Sequence, residues 1–103
     1  MKSWDALGCL LAGYLHEDFV DLHGSAWGAV DDFARSQTDY APQLRREITE
    51  LLDAHQSEVS LQAAVESLGL DYLPEADGWV SYRAWLLAVA DRVDQVLQTS
   101  PAA

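Results

Sequence analysis

A chain of 103 residues has room for one hydrophobic core and not two, and half of these residues are apolar, four of them tryptophan. That much large apolar surface excludes a disordered chain. Six basic residues face seventeen acidic ones, a formal net charge of -11 with a pI near 4.3, and such a surface repels nucleic acid phosphates and anionic headgroups while attracting a cationic partner.

Solubility alone accounts for some of this acidity. Its distribution, however, is uneven. Between Lys2 and Arg35 fall Asp5, Glu17, Asp18, Asp21, Asp31 and Asp32, with no basic residue among them. A second such gap, from Arg46 to Arg83, holds Glu47, Glu50, Asp53, Glu58, Glu66, Asp71, Glu75 and Asp77. Uncompensated carboxylates repel one another, and binding a basic partner is one benefit that offsets the strain.

Apolar spacing is helical nearly throughout. The first helix is expected from about Ser3 to Phe19, with Trp4, Leu7, Leu11, Tyr14, Leu15 and Phe19 near one face, Ser3 as cap and Asp5 at the positive end. Cys9 lies in an apolar run and reads as a buried, inert thiol; as the single cysteine it rules out an internal disulfide. Leu22-His23-Gly24 reads as a turn, and Ser25 as the N-cap of a second helix over Ala26 to Ser36 with a stripe of Ala26, Val30, Phe33 and Ala34. The third helix starts near Pro42, whose missing N–H costs nothing in a first turn. Leu44, Ile48, Leu51 and Leu52 face inward there, Glu47 and Glu50 outward.

The fourth helix runs from Ser57, which has a cap to serve, to Leu68 and stops at Gly69, a residue suited to a left-handed C′ position. Residues 70–79 carry proline and glycine and lose the helical period, so they read as a loop anchored by Tyr72 and Trp79. Ser81 caps the last helix, Val80 is placed to pack on Trp85 as a hydrophobic staple, and Trp85, Leu86, Val89, Val93 and Val96 or Leu97 form its stripe. Without β-branched alternation no sheet is expected. The fold class is therefore all-α, a single domain over 1–103 of about five helices, with its core at about 4–97 and a frayed tail at 98–103.

Sites for chemistry are hard to find. His16 and His23 stand seven apart beside Glu17, Asp18 and Asp21, whereas two imidazoles sharing an ion on one helix need a spacing of four. A hydrogen-bonded helix-end histidine beside solvated acids is the favoured reading over a metal site. No serine occupies a nucleophile elbow, no Gly-rich phosphate loop occurs, and the carboxylates form no defined acid–base pair. No catalytic residue, metal or cofactor is expected. No basic leader and no membrane-length apolar run is present, so a cytoplasmic protein is expected. Of the aromatic residues, Trp4, Tyr14, Phe19, Trp27, Phe33 and Trp85 read as core, whereas Tyr40, Tyr72, Trp79 and Tyr82 border loops and supply candidate contact residues.

Several segments match a known pattern. Tyr14 to Phe19, reading Y-L-H-E-D-F, resembles the Y-[FL]-H-[QE]-D-[FW] segment of the contact-dependent growth inhibition immunity proteins. Val30 to Phe33 is similar to that family's next helix, and Leu44 to Leu52 to its third. Leu68 to Pro74, then Gly78 and Ser81 to Leu86, resemble its L-G-x-x-Y-x-P loop and S-Y-R-x-W-L helix; position 70, often cysteine in the pattern, is leucine here. The resemblance spans about Leu7 to Val93.

It implies a non-enzymatic inhibitor that binds the C-terminal domain of a delivered toxin, many of which are nucleases with basic substrate surfaces. An array of carboxylates would stand where phosphates lie. Glu17, Asp18, Asp21, Asp31 and Asp32 are the first candidates for that contact. The Asp71 to Asp77 loop with Tyr72 and Glu75 comes second, and Tyr82 joins them. Tyr14, His16, Phe19, Gly69, Pro74, Ser81 and Trp85 form the matched structural motif, with His16 and Asp18 open to either role. The partner would be a basic toxin domain, with no nucleic acid, no membrane and no self-association of the free chain. The alternative is an acidic helical adaptor with no toxin partner.

Overall fold

The computed structural model describes residues 4–15, 24–70, 72 and 74–99. Among the described residues it holds five α-helices and no strand: α1 (Asp5–Gly8), α2 (Ala26–Ser36), α3 (Leu44–Ala54), α4 (Glu58–Ser67) and α5 (Tyr82–Thr99). Single 3-10 turns at Ala41–Gln43 and Pro74–Asp77 lead into α3 and precede α5. The domain is compact and all-helical, as the apolar spacing predicts.

Local chemistry sets most of these boundaries. Ser25 adopts extended backbone and its hydroxyl accepts the Gly28 N–H at 3.0 Å, so α2 spans the expected Ala26–Ser36. Ser57 does the same for the Ser60 N–H at 3.1 Å, and the Ser81 hydroxyl accepts the Ala84 N–H at 3.0 Å. Each satisfies one of the orphan donors of a first helical turn. After α4 the chain turns at Gly69 with φ of 104°, and the Gly69 N–H bonds the Glu66 carbonyl. Pro42 sits in the 3-10 turn that opens α3.

The long helix α5 is the centrepiece, packing on α2, α3 and α4, while α1 rests on α3. Trp85, Leu86, Val89, Ala90 and Val93 of α5 join Leu44, Ile48, Leu51 and Leu52 of α3, Ala29, Val30 and Phe33 of α2, and Leu61 and Val65 of α4 in one buried cluster. The stripes expected on these helices are the ones that bury. Val96 and Leu97 are half-buried at its edge.

Three expectations are corrected. The first helix is not α-helical to Phe19: α1 holds one turn and continues as a π-helix over Cys9–Tyr14, marked by the Leu15 N–H reaching back five residues to the Leu10 carbonyl at 3.0 Å. Gly8 precedes the widened stretch and Gly13 lies within it, and a backbone without Cβ deviates from α geometry at little cost. Leu7, Leu10, Leu11 and Leu15 remain buried along it. The expected Ser3 cap, the stretch to Phe19 and the Leu22-His23 part of the turn lie outside the described residues.

Glu47 does not face outward. It is fully buried, and its two oxygens accept the N–H groups of Ala6 at 3.1 Å and Leu7 at 3.0 Å. Those donors belong to the first turn of α1, so a side chain from α3 closes the end of a helix about 40 residues away in sequence. Nor does Val80 staple onto Trp85. Its side chain is 92% exposed, and the Tyr72 ring takes the expected place, with centroids 5.2 Å apart.

Candidate functional site

Where α4 and α5 begin, three segments meet around a shallow cleft of about 140 Å³. The Ser57 cap starts α4 and puts Glu58 in its first turn, where the Glu58 carboxylate accepts the N–H of Tyr82 in the first turn of α5. One side chain thus ties two helix starts together. Gln62 follows one turn later on the same face of α4. Opposite, the Pro74–Asp77 turn carries Glu75 and is closed by Gly78 and Trp79 N–H groups donating to the Glu75 and Pro74 carbonyls. Trp79, Val80, Ser81 and Tyr82 complete the walls.

The walls are braced from behind. The Tyr72 hydroxyl donates to Asp77 at 2.5 Å, and Pro74 is buried. Trp79 stands edge-on to Trp27 of α2, centroids 5.9 Å apart, and the Arg92 guanidinium lies 5.7 Å from the centroid of that Trp27 ring. Arg92 in turn grips Asp31 with two hydrogen bonds of 2.7 and 2.8 Å. A continuous run of contacts therefore links the loop to α2 and α5.

Charge is unevenly compensated across the molecule. Arg45 bridges Asp91 and Asp94 at 2.5 Å each, and Arg92 pairs with Asp31. Arg83, the basic residue beside the cleft in sequence, donates instead to the carbonyls of Leu52 and His55, at 3.2 and 3.0 Å, at the end of α3. Among the described residues no salt bridge reaches Glu58, Glu66 or Glu75. Burial first, and then the charges of Glu66, Glu75 and Glu58, push the pKa of the Tyr82 phenol above the ordinary tyrosine value. Burial first, and then the Asp77 hydrogen bond, raise the Tyr72 phenol. Conversely, the Arg92 hydrogen bonds and charge hold Asp31 below the usual carboxylate range against the opposing effect of burial. Burial raises the half-buried Cys9 thiol, which keeps it protonated and unreactive.

The sequence candidates divide accordingly. Glu75, Asp77, Tyr72 and Tyr82 gather at the cleft or directly behind it. Asp31 is committed to Arg92, and Asp32 lies half-buried beside it on α2 with interactions of its own. Glu17, Asp18, Asp21 and Asp71 lie outside the described residues, as do His16, His23 and Phe19, on which the metal question turns. Among the described residues no three histidine, cysteine or acidic side chains come together in a way that would hold a metal. Of the motif residues, Gly69, Pro74, Ser81 and Trp85 are structural: a left-handed turn, a buried turn start, a helix cap and a fully buried anchor. Tyr14 packs edge-on to Phe33 at 5.7 Å and its hydroxyl accepts from Gln37.

Sequence reasoning passed over Glu58, Gln62 and Glu66 as site residues. Their spacing of four is the signal that marks them, since it sets all three along one face of α4.

The described residues thus form a compact, all-helical, strongly acidic domain with a cleft lined by carboxylates and aromatic rings. The family model described as CdiI immunity protein matches residues 3–93, and the chain belongs to that family. No curated protein and no solved structure matches it. CdiI immunity proteins are non-enzymatic inhibitors that act inside the cell, each neutralising a cognate CdiA toxin. No helix among the described residues is long and apolar enough to cross a membrane.

Proposed function

We propose that the chain neutralises a nuclease-type CdiA toxin domain by laying an acidic face over the basic surface that would otherwise hold the substrate phosphates. The observation that carries this reading is the cleft lined by Glu58 and Glu75 beside Tyr82, with no salt bridge to either carboxylate among the described residues, on a chain of net charge -11. In the low dielectric of an interface a cationic groove binds such groups as it binds phosphate oxygens, and long-range attraction steers the encounter. Glu75, Asp77, Tyr72 and Tyr82 stand with Asp32 as contact residues from the described part. Glu17, Asp18, Asp21 and Asp71 extend the proposed contact, and Asp31 serves it by positioning Arg92 and Trp27.

The free chain acts as a single-domain, cytoplasmic monomer, kept apart from its own copies by its charge and binding neither nucleic acid nor membrane. The test is co-purification of the tagged protein with the toxin domain encoded beside it, at low and high salt, together with an assay of nucleic acid cleavage by that domain. A one-to-one complex in which cleavage stops supports the proposal. A toxin domain that binds the protein yet has no nuclease activity overturns the nuclease reading, and failure to bind overturns the inhibitor reading.

A further inference from the structure

We infer that the cleft between the start of α4, the Pro74–Asp77 turn and the start of α5 receives one arginine side chain of the cognate toxin. This deepens the inhibitor reading above and rests on it. Size decides the class of occupant. Pockets that enclose drug-sized ligands run to about 300–1,000 Å³, and the cleft offers about 140 Å³. A nucleotide or cofactor is too large for it, and a single long side chain is of the right order.

The lining decides which side chain. Glu58 of α4 and Glu75 of the Pro74–Asp77 turn both line it, Gln62 contributes an amide, and Trp79 and Tyr82 supply aromatic walls. No lysine or arginine lines the cleft. A guanidinium pairs with carboxylates through its planar fork and stacks on aromatic faces, whereas an ammonium is a strongly hydrated point charge. Glu58 is held in place by the Tyr82 N–H, and Trp79 by its contact with Trp27. The receptor is therefore preorganised, and binding costs little ordering on this side.

Val80 puts exposed apolar surface at the rim. Val80 is 92% exposed at the cleft, and Val59, directly after Glu58 on α4, is 82% exposed. Together with Leu87 they are the large aliphatic side chains left exposed among the described residues, and two of the three flank this cleft in sequence. Apolar groups around a charged anchor exclude water and strengthen the pairing beneath them.

The test measures affinity and dissociation rate of the full chain with its neighbouring toxin domain for three variants, each checked for its fold by circular dichroism. Glu75→Gln removes one cleft charge, Val80→Arg sets a competing guanidinium at the rim, and Asp53→Asn removes one charge from the exposed side of α3. Glu75→Gln and Val80→Arg are expected to weaken binding at least tenfold, chiefly through faster dissociation, with Asp53→Asn within twofold. An alanine scan of the toxin's arginines then finds one whose loss is no longer felt in the Glu75→Gln background. Equal effects of Glu75→Gln and Asp53→Asn overturn the inference, because the charge then acts only at long range. A loss confined to Val80→Arg also overturns it, assigning the cleft an uncharged occupant. If the unaltered chain does not bind the toxin domain, the inhibitor reading fails and this inference with it.

Discussion

Glu47 is the side chain on which local pattern and tertiary environment disagree most. On α3 it falls where a solvated residue is expected, yet both oxygens serve the backbone of α1 in a fully buried site. Removing the acceptor leaves two buried N–H groups unpaired, so Glu47→Ala is expected to cost about 3 kcal/mol. Glu47→Gln, which keeps one acceptor oxygen and offers a clashing donor to the second N–H, loses about 1–2 kcal/mol. Urea unfolding of both variants measures the difference. If Glu47→Ala is as stable as the parent chain, the capping role is wrong. Asp31 makes a second prediction. Its folded pKa is depressed by Arg92, so its contribution to stability is present above the unfolded carboxylate value of about 3.9 and is lost as the pH falls through the lower folded value. Asp31→Asn is expected to lower stability near neutrality by about 0.5–1 kcal/mol and to flatten the decline below about pH 4. Urea midpoints measured across that range check the sign.

Helix ends add constraints of their own to the packing of the helix interiors. Gly69 illustrates the constraint: its φ is 104°, and a Cβ there would meet the Ala12 Cβ at 2.7 Å and its Cα at 3.1 Å. Gly24 has a similar φ of 83° but open space around it. Gly69→Ala therefore suffers both backbone strain and overpacking, about 2–4 kcal/mol, against about 1–2 kcal/mol for Gly24→Ala. Thermal unfolding of the pair separates the two costs, and equal losses would show that the Ala12 contact yields freely. The serine caps belong to the same class of evidence. Ser25, Ser57 and Ser81 are all legible from their place before a periodic run, because a cap bonds only to its own first turn. Val80 misled for the opposite reason. Whether a staple closes depends on what else covers Trp85, and Tyr72 arrives there from the preceding loop.

For the molecule as a whole, the net charge of -11 outweighs any single pair. Association with a cationic toxin domain is expected to slow roughly tenfold or more between about 50 and 500 mM salt, with dissociation much less affected, because screening acts on the encounter and desolvated contacts govern release. Stopped-flow mixing across that range measures it, and a salt-independent association rate would remove electrostatic steering from the mechanism. The ion pairs formed by Arg45 and Arg92 stand on α5 and its α2 and α3 neighbours, and among the described residues none reaches the acids of α4 or of the Pro74–Asp77 turn. That asymmetry gives the field a direction which composition alone lacks.

Helix content, three of the caps, the Gly69 stop and the buried stripes of α2, α3 and α5 were all readable from the chain, because each depends on residues within one or two turns. The family pattern was readable for a related reason, since it is carried by short segments in order. The packing of Glu47 against α1, the widened turn after Gly8, the pairing of Asp31 with Arg92 and the cleft built from Glu58, Gln62, Glu75, Trp79 and Tyr82 were not. Each of the pairings joins groups far apart in sequence, and the choice among many chemically equivalent carboxylates is made by which helix ends and rings the fold brings beside them. Local propensity can say that an acid is present; only the packed helices determine whether it caps, pairs or waits for a partner.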